Sequence, residues 1–571
     1  MKLLYKHIFK EFITKRSMLG VLSLFLIFIS FMYFFVHFSI DKNLTLFDEM
    51  LTRGKVLLDN EEKYFIALEN NQILIRNITL AMVGIFSLIL FLFIKNIIGK
   101  SQIKIGYFLS LGFSSKDIIQ VYVSIITALS FVCSFVGLIL GFFGSNIIIS
   151  ANAHTYLVNG ILKGIHFKSF IMGTILTTAL FSMITYLAGT GIEREDVALM
   201  IKHIDMAAVR PGIVEKIIQK LPIYNKFSYK LTMKNKSAFV LLVIAIVTFN
   251  IMFILSVSLV FSSFKILESQ RDGRSYLYNI YYDDYQTDDL IYSKEAVPYL
   301  KYEADIEFMG NSIKYNVVGL DNLNEVFHLL DEKGRQVDTS EGIVLNPELE
   351  ENYGIKVGDL IYLVIKGKRY EMPVTAIGEN AALKTVYVSK TQAAEMIQRD
   401  DKVFNGVLTN HLVDNSNLIS FNEEISAIER SLTSNKASAL INQSIGIITG
   451  CLLIYLSILI GLSNNISNIL IFDLLGYNRR EINKIILDPY IVMSNILFLL
   501  TFPFSAYAAK RIQIMTSIQT NEYMPFQINI LTFIYMIFIL NILCFSVRAL
   551  FMRKVRKIVN TEQQAEFLTE W

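Results

Sequence analysis

The stretch KIGYFLSLGFSSKDII (residues 104–119) recurs as NILIFDLLGYNRREIN (residues 468–483), and both copies lie between long apolar stretches. We call them the first and the second elbow. Their alignment pairs identical or similar residues: Phe108 with Phe472, Leu111 with Leu475, Gly112 with Gly476, Phe113 with Tyr477, Asp117 with Glu481 and Ile118 with Ile482. Solvated loops vary freely, so a repeated polar segment held between apolar stretches predicts a partner protein that binds both copies.

The composition indicates an integral membrane protein. Hydrophobic residues make up 53% of the 571 residues and charged residues only 18%, with a mean hydropathy of +0.46, which is too apolar for a soluble protein of this length. Several stretches without Asp, Glu, Lys or Arg reach the length of about 18 residues that a membrane-spanning helix needs. The sequence predicts eight spans, near 17–40, 77–94, 118–150, 169–192, 237–264, 437–472, 489–509 and 526–547.

Lysine and arginine cluster in every second segment that flanks the predicted spans. Eight crossings place the basic segments 2–16, 95–116, 193–236, 479–484 and 548–557 on one side. The positive-inside rule makes this side the cytoplasm, so both termini are predicted to be cytoplasmic. Lys510 and Arg511 fall on the outer side against this trend.

Two offsets between repeated segments predict a tandem duplication. The elbows are 364 residues apart, whereas the basic approach to the first span, Lys6 to Ser17, recurs at Lys226 to Ser237 with an offset of 220. An insertion between the fifth and sixth spans explains the difference. The predicted domains are a first four-span repeat (1–192), a cytoplasmic linker (193–225), an amphipathic helix with span 5 (226–264), an extracytoplasmic domain (265–436), spans 6–8 (437–557) and a cytoplasmic tail (558–571).

Local patterns predict helices and strands outside the spans. Leu4, Ile8 and Phe12 repeat at every fourth residue, which predicts an amphipathic helix on the inner membrane surface or a cytoplasmic extension of the first span. The inserted domain is predicted to be α+β. Its elements are a strand near 342–346, a helix from Pro347, a hairpin turning at 366–368, a strand at TVYV (385–388), a helix capped by Ser389 or Thr391, and a helix at 415–435 that enters span 6.

The inserted domain begins with a segment rich in tyrosine and aspartate. Such residues offer aromatic contact and negative charge, which suits a cationic, amphipathic ligand; the alternative is a pair of strands with solvated turns. The candidate ligand residues are Tyr276, Tyr278, Tyr281, Tyr282, Asp283 and Asp284.

No catalytic motif is recognisable in the sequence. The HExxH, paired CxxC and GxSxG patterns are missing, and Gly99-Lys100-Ser101 lacks the earlier glycine of a phosphate-binding loop because Ile94 occupies that position. The chain is therefore predicted to be no enzyme, to hold no metal or cofactor, and to bind no nucleic acid. The predicted spans contain almost no ionisable groups, which argues against a secondary transporter and predicts that energy arrives through the cytoplasmic loops.

Each elbow predicts a short helix, a break at glycine and a second helix that rises into the next span. Gly112 and Gly476 permit the break, and Ser114 and Asn478 can cap the second helix. Such a rigid unit can dock on an ATPase and pass force to the membrane; the alternative is an inert helical hairpin. The candidate docking residues are Lys104, Phe108, Leu111, Gly112, Phe113, Lys116 and Asp117 in the first elbow, and Phe472, Leu475, Gly476, Tyr477, Arg479, Arg480 and Glu481 in the second.

The elbows, the basic helix before a span, and the stretch VLNPELEENYGIKVGDLIYL (344–363) together resemble the FtsX/MacB-type permeases of ABC transporters, and distantly the BceB-like permeases that resist antimicrobial peptides. The resemblance implies a multi-pass protein of the bacterial plasma membrane, in contact with membrane lipid. It also implies two copies of a separate cytoplasmic ATPase, which carry ATP and Mg.

The resemblance implies export, extraction or resistance by mechanotransmission, acting on an amphipathic substrate such as an antimicrobial peptide, a lipid or a lipoprotein. The alternative is an ATPase-driven signalling protein that activates a cell-wall hydrolase or a sensor kinase without transport. A histidine kinase or another extracytoplasmic partner belongs to that alternative.

Overall fold

The computed structural model describes residues 2–14, 16–158, 160–194, 228–232, 236–287, 296–321, 326–411 and 417–560. Most of the predicted linker 193–225 and the tail beyond Asn560 lie outside these ranges. The chain divides into two compact units. The helical unit comprises Met1–Phe253, Ser444–Ala506 and Ile530–Trp571, and the α+β unit comprises Ile254–Gln443 and Tyr507–Asn529.

The described α-helices, in chain order, are α1 (Lys2–Thr14), α2 (Arg16–Thr52), α3 (Asp59–Lys100), α4 (Gln102–Ser110), α5 (Ser115–Gly144), α6 (Asn146–Tyr156), α7 (Phe167–Phe170), α8 (Thr177–Gly189), α9 (Lys236–Ser269), α10 (Pro347–Tyr353), α11 (Lys390–Met396), α12 (Phe421–Asn464), α13 (Ile466–Leu474), α14 (Arg479–Ile486), α15 (Asp488–Thr520) and α16 (Ile530–Asn560). A π-helical segment, Ile171–Leu176, joins α7 to α8. Eight helical segments within the described ranges are long and apolar enough to cross a membrane. This agrees with the membrane α-helical class predicted from the sequence.

The N-terminal helix α1 is amphipathic, as its sequence predicts. Leu4, Ile8 and Phe12 are buried, and the Phe12 ring lies 5.8 Å from the ring of Tyr122 on α5. The apolar row of α1 therefore packs on the helical unit.

Helices α2 and α3 continue well beyond the stretches predicted to cross the membrane. At 37 and 42 residues, they exceed the roughly 20 residues that a span needs. Their far ends form a helical hairpin, whose core includes Phe47, Tyr64 and Leu68. The first inter-span segment, 41–76, is therefore almost entirely helical.

Small residues bring two helix pairs into close contact, as in many membrane helix packings. On α5, a Cβ at Gly137 would lie 2.5 Å from Ser30 Cβ, and one at Gly141 would lie 2.7 Å from Phe34 Cβ on α2. On α12, a Cβ at Gly446 would lie 2.9 Å from Met252 Cβ on α9. Both contacts leave no room for a larger side chain.

The α+β unit contains a nine-stranded sheet with strands β1 (Tyr278–Gln286), β2 (Ala296–Phe308), β3 (Asn311–Gly319), β4 (Ile343–Leu345), β5 (Leu360–Ile365), β6 (Lys368–Ile377), β7 (Thr385–Val388), β8 (Phe404–Thr409) and β9 (Leu418–Ser420). The strand order is β3-β7-β4-β6-β5-β2-β8-β1-β9, and β2 also pairs with β3. Six strands from β3 to β2 thus close on themselves, and β2 continues into an arm formed with β8, β1 and β9. The core of the closed part includes the fully buried Ile306, Val317, Ile343, Ile361 and Val386.

The local elements predicted in this unit are confirmed, except that the helix predicted at 415–435 starts later, because residues 418–420 form β9. Helix α10 begins at Pro347, with the Asn346 side chain accepting a 2.8 Å hydrogen bond from the Glu348 amide. The β5–β6 hairpin turns at Lys366 and Gly367, whose φ angles of 49° and 80° fit a tight hairpin turn. Ser389 caps α11, and the helix predicted at 415–435 begins at Phe421.

Candidate functional site: two matching elbows

Both elbows begin with the same one-residue break after a long helix. Ser101, with φ −104° and ψ 9°, separates α3 from α4, and Asn465, with φ −114° and ψ 13°, separates α12 from α13. Ser101 Oγ lies 2.9 Å from the Ile97 carbonyl oxygen, and Asn465 Nδ2 lies 2.9 Å from that of Gly461. Hydrogen bonds of this kind to the carbonyl four residues earlier favour helix bending.

The short helices α4 and α13 end in the same way. The Phe113 amide donates to the Phe108 carbonyl (3.2 Å) and the Tyr477 amide to the Phe472 carbonyl (3.0 Å). Within each pair the rings are in contact, with centroids 6.0 Å and 5.4 Å apart. This is a Schellman ending with its apolar contact.

The glycine of each Schellman ending lies in the left-handed region of backbone space. Gly112 has φ 93° and Gly476 has φ 81°, where an L-residue is unfavourable. A Cβ at either position would meet no atom within 4 Å. The requirement for glycine is therefore conformational and does not arise from crowding.

The helix that follows each break begins with a carboxylate that accepts a hydrogen bond from the cap residue's amide, and the predicted side-chain cap is confirmed at Ser114 but not at Asn478. The Asp117 amide donates to Ser114 Oγ at 3.1 Å, and the Ser114 amide donates to the Asp117 carboxylate at 3.0 Å. In the second elbow the Asn478 amide donates to the Glu481 carboxylate at 2.8 Å, whereas the Glu481 amide donates to the backbone carbonyl of Asn478 at 2.8 Å and not to its side chain. Residues 101–117 and 465–481 thus repeat one backbone conformation.

Each elbow is fixed to the helical unit by isoleucines and presents a ridge of other apolar residues. Ile105 and Ile469 are buried at equivalent positions, as are Ile118 and Ile482. Leu111 and Leu475 are 71% and 68% exposed.

The candidate docking residues of both elbows are exposed or half-buried, and none is buried. The carboxylates of Asp117 and Glu481 accept hydrogen bonds from the amides of Ser114 and Asn478. Lys104 and Lys116 in the first elbow and Arg479 and Arg480 in the second are exposed. Both elbows therefore combine an apolar ridge with exposed positive charge, which suits a partner groove with acidic edges.

The structure brings the two elbows together at the ends of their leading helices. Lys100 Nζ, on the last residue of α3, donates to Ser463 Oγ near the end of α12 at 2.9 Å. Helix α1 supports the first elbow: the His7 ring lies 6.0 Å from that of Phe108, and Glu11 hydrogen-bonds the Ser101 hydroxyl.

The tyrosine- and aspartate-rich segment is divided by the alternation of strand β1. Tyr276 and Tyr281 line a cavity of about 360 Å³ in the α+β unit. Tyr282 instead contacts Phe404, with ring centroids 6.0 Å apart. Tyr278 does not line the cavity, and Asp283 and Asp284 are exposed outside it.

The acidic group of this cavity is Glu424 on α12, which the sequence did not single out. Glu424 accepts hydrogen bonds from Tyr276 (2.9 Å), Asn279 (2.7 Å) and Tyr281 (3.1 Å). Burial and the nearby Glu424 carboxylate raise the pKa of both tyrosines, so they remain neutral donors.

A second buried polar group was also missed. On α2, His37 Nδ1 lies 2.8 Å from Asp41 Oδ1, and the Asp41 carboxylate accepts a 2.9 Å hydrogen bond from the His166 amide. The spacing of four residues between His37 and Asp41 was a usable signal for a helical pair. This cluster joins α2 to the segment before α7, so the apolar helices are less free of ionisable groups than the sequence indicates.

Within the described ranges, no group of three or more His, Cys, Asp or Glu residues is placed to hold a metal ion. Cys133, Cys451 and Cys544 are free thiols.

The C-terminal part of the chain matches a known family. Residues 444–559 match the model described as FtsX-like permease C-terminal, and this region contains the second elbow. No curated protein matches the chain. The match supports the FtsX/MacB-type permease family, whose members are membrane subunits of ABC transporters, lack a nucleotide-binding domain of their own and work with a partner ATPase.

Proposed function

We propose that this chain is the permease subunit of an ABC transporter that uses ATP hydrolysis by a separate ATPase to export, extract or confer resistance to an amphipathic substrate by mechanotransmission. The observation that carries the proposal is the pair of elbows. Each has a break, a short helix, a Schellman ending and a carboxylate that accepts from the cap residue's amide, all at equivalent positions. Two matching, exposed and basic surfaces are what two copies of one ATPase require.

A rigid elbow transmits force because its backbone groups are satisfied internally. The Schellman bonds and the hydrogen bonds from the cap amides to Asp117 and Glu481 satisfy backbone groups at each turn, so force applied to the apolar ridge would pass to the adjoining helices. In the second elbow the adjoining helix α12 begins at Phe421 in the α+β unit and ends at Asn464, one residue before α13. Movement of the second elbow would thus reach the α+β unit through one continuous helix.

The packing between α9 and α12 supports this transmission. Ser256 Oγ donates to the Ala439 carbonyl and Ser457 Oγ to the Ala238 carbonyl, each at 2.7 Å. With the close approach at Gly446, these contacts fix the two helices along their length, and α9 and α12 are the helices that enter and leave the sheet-containing segment. They would move as a pair.

The proposal is tested by co-purifying the chain with a candidate ABC ATPase subunit from the same organism and measuring the mass of the complex by native mass spectrometry. We expect one permease with two ATPases. A stable one-to-one complex, or two permeases per ATPase pair, would contradict the proposal.

Charge reversal tests the docking surface directly. Arg479→Glu with Arg480→Glu should release the ATPase from the second elbow, whereas Lys368→Glu, an exposed change in the β5–β6 hairpin, should leave the complex intact. A screen of peptides and lipids for stimulated ATP hydrolysis then identifies the substrate. Stimulation without any movement of substrate would support signalling in place of transport.

A further inference from the structure

The cavity in the α+β unit has the size and lining of a ligand site. Its volume of about 360 Å³ lies within the range of roughly 300–1,000 Å³ typical of small-molecule pockets. Aromatic and aliphatic side chains from the sheet, among them Tyr299, Phe327 and Leu408, form most of its wall. Phe421, Ile425 and Ile428 from the first turns of α12 form the remaining apolar side.

Glu424, the one carboxylate among the lining residues that the structure describes, already accepts hydrogen bonds from the protein. Its two oxygens accept hydrogen bonds from Tyr276, Asn279 and Tyr281. Tyr299 in turn donates to Asn279 Oδ1 at 2.9 Å. Glu424 therefore holds α12 against β1, and a cationic ligand would have to displace these donors to reach it.

The two basic residues of the lining differ in what remains available to a ligand. Arg274 donates hydrogen bonds to the carbonyls of Ser269 (3.0 Å) and Asn380 (2.8 Å) and to the side chain of Gln270 (3.1 Å). Most of its guanidinium hydrogen-bonding capacity is therefore used within the protein. The backbone of Lys301 is hydrogen-bonded to Asn405, whereas among the described residues its ammonium has one recorded contact, 5.8 Å from the centroid of the Tyr281 ring. The described lining residues carry two positive charges and one negative charge, and of these Lys301 is the one that a ligand can reach without displacing a hydrogen bond of the protein.

We propose that this cavity binds an amphipathic anion, with the apolar group between the sheet and α12 and the negative group at Lys301. The inference deepens the proposed function, on which it rests, by naming the chemistry that the α+β unit recognises. It replaces the expected preference for a cationic ligand, because Asp283 and Asp284, the basis of that expectation, lie outside the cavity.

Binding in this cavity is connected to α12 by direct contact. Four of the lining residues, Phe421, Glu424, Ile425 and Ile428, belong to the first eight residues of α12. An apolar group in the cavity would add contacts to these side chains and stabilise the position in which Glu424 accepts its three hydrogen bonds. Ligand binding and the position of α12 are thereby linked.

Octyl phosphate is the probe, titrated by calorimetry into the full chain in phosphatidylcholine nanodiscs without ATPase. We expect octyl phosphate to bind saturably. Octyltrimethylammonium should not compete with it, and inorganic phosphate should compete only weakly. Lys301→Gln should weaken binding about tenfold, since it removes one charge-assisted hydrogen bond. Lys368→Gln is the matched control and should have no effect.

A second pair of variants tests the apolar part of the cavity. Ile428→Trp should fill the cavity from the half-buried face of α12 and abolish binding, while Leu360→Trp, at an exposed position on β5, should not. The proposal would be overturned if the octyl phosphate and octyltrimethylammonium probes bound equally well, or if Lys301→Gln left the affinity for octyl phosphate unchanged. It would also be overturned if inorganic phosphate bound as tightly as octyl phosphate, since the apolar group would then contribute nothing. Because no ATPase is present, these outcomes are independent of whether two ATPases dock on the elbows.

Discussion

The glycine of each elbow offers a sharp test of coupling, because its cost on substitution is conformational alone. Gly112 and Gly476 have φ of 93° and 81°, and a Cβ at either position meets nothing within 4 Å. Replacement by alanine therefore adds no clash and leaves only the unfavourable left-handed backbone, about 1 kcal/mol per elbow. One kcal/mol corresponds to about a fivefold change in an equilibrium constant.

We therefore expect Gly112→Ala and Gly476→Ala each to weaken the apparent affinity for the ATPase about fivefold. The double variant should weaken it about 30-fold if the elbows act independently. Gly476→Asn is the matched control, since asparagine tolerates the left-handed region, and it should retain most of the affinity. The assay is ATPase binding and ATP hydrolysis in nanodiscs. If asparagine is as harmful as alanine, or if the double variant binds normally, the elbow conformation does not carry the docking.

Two further predictions concern packing and pH. Gly446→Leu should lower the thermal unfolding temperature, because its side chain would strike Met252, whereas Gly84→Leu, with open space around it, should not. Burial raises the pKa of Glu348 and of Glu351 above the ordinary 4.5, so the stability gained from their protonation is complete below pH 4.5 and is lost as the pH rises through the raised values. The thermal unfolding temperature of Glu348→Gln or Glu351→Gln, compared with that of the wild type, should therefore increase as the pH rises from 4.5 to 8. A difference between variant and wild type that does not change with pH would refute this.

The elbows were predictable because their signals are local. A Schellman ending requires a residue that accepts a positive φ, and a capping box requires a short polar side chain followed three residues later by an acid. Gly112, Ser114 and Asp117 satisfy these requirements within six residues, and so do Gly476, Asn478 and Glu481. The sequence spacing alone therefore determines the backbone path.

The cavity was only partly predictable because its parts are distant in sequence. Tyr276 and Tyr281 were singled out, but their acidic partner Glu424 lies more than 140 residues away on α12. The prediction from composition also grouped Tyr278 and Tyr282 with Tyr281 on one ligand-binding face. Successive residues of a strand point to opposite sides of the sheet, so these tyrosines cannot all share one face. No local pattern indicates which helix covers β1, so the charge of the cavity could not be worked out from the sequence.

The two elbows match in conformation but differ in what their leading helices join. Helix α3 begins at Asp59 in the helical hairpin with α2, whose described core is apolar and contains no sheet. Helix α12 begins at Phe421 beside β9, and its first turns line the cavity that holds Glu424. Under the proposed function, ATPases docked on the two elbows would meet the same local surface but would be joined to different segments beyond it. Under the proposed function, a ligand in the α+β unit therefore acts on the ATPase pair chiefly through α12 and the second elbow.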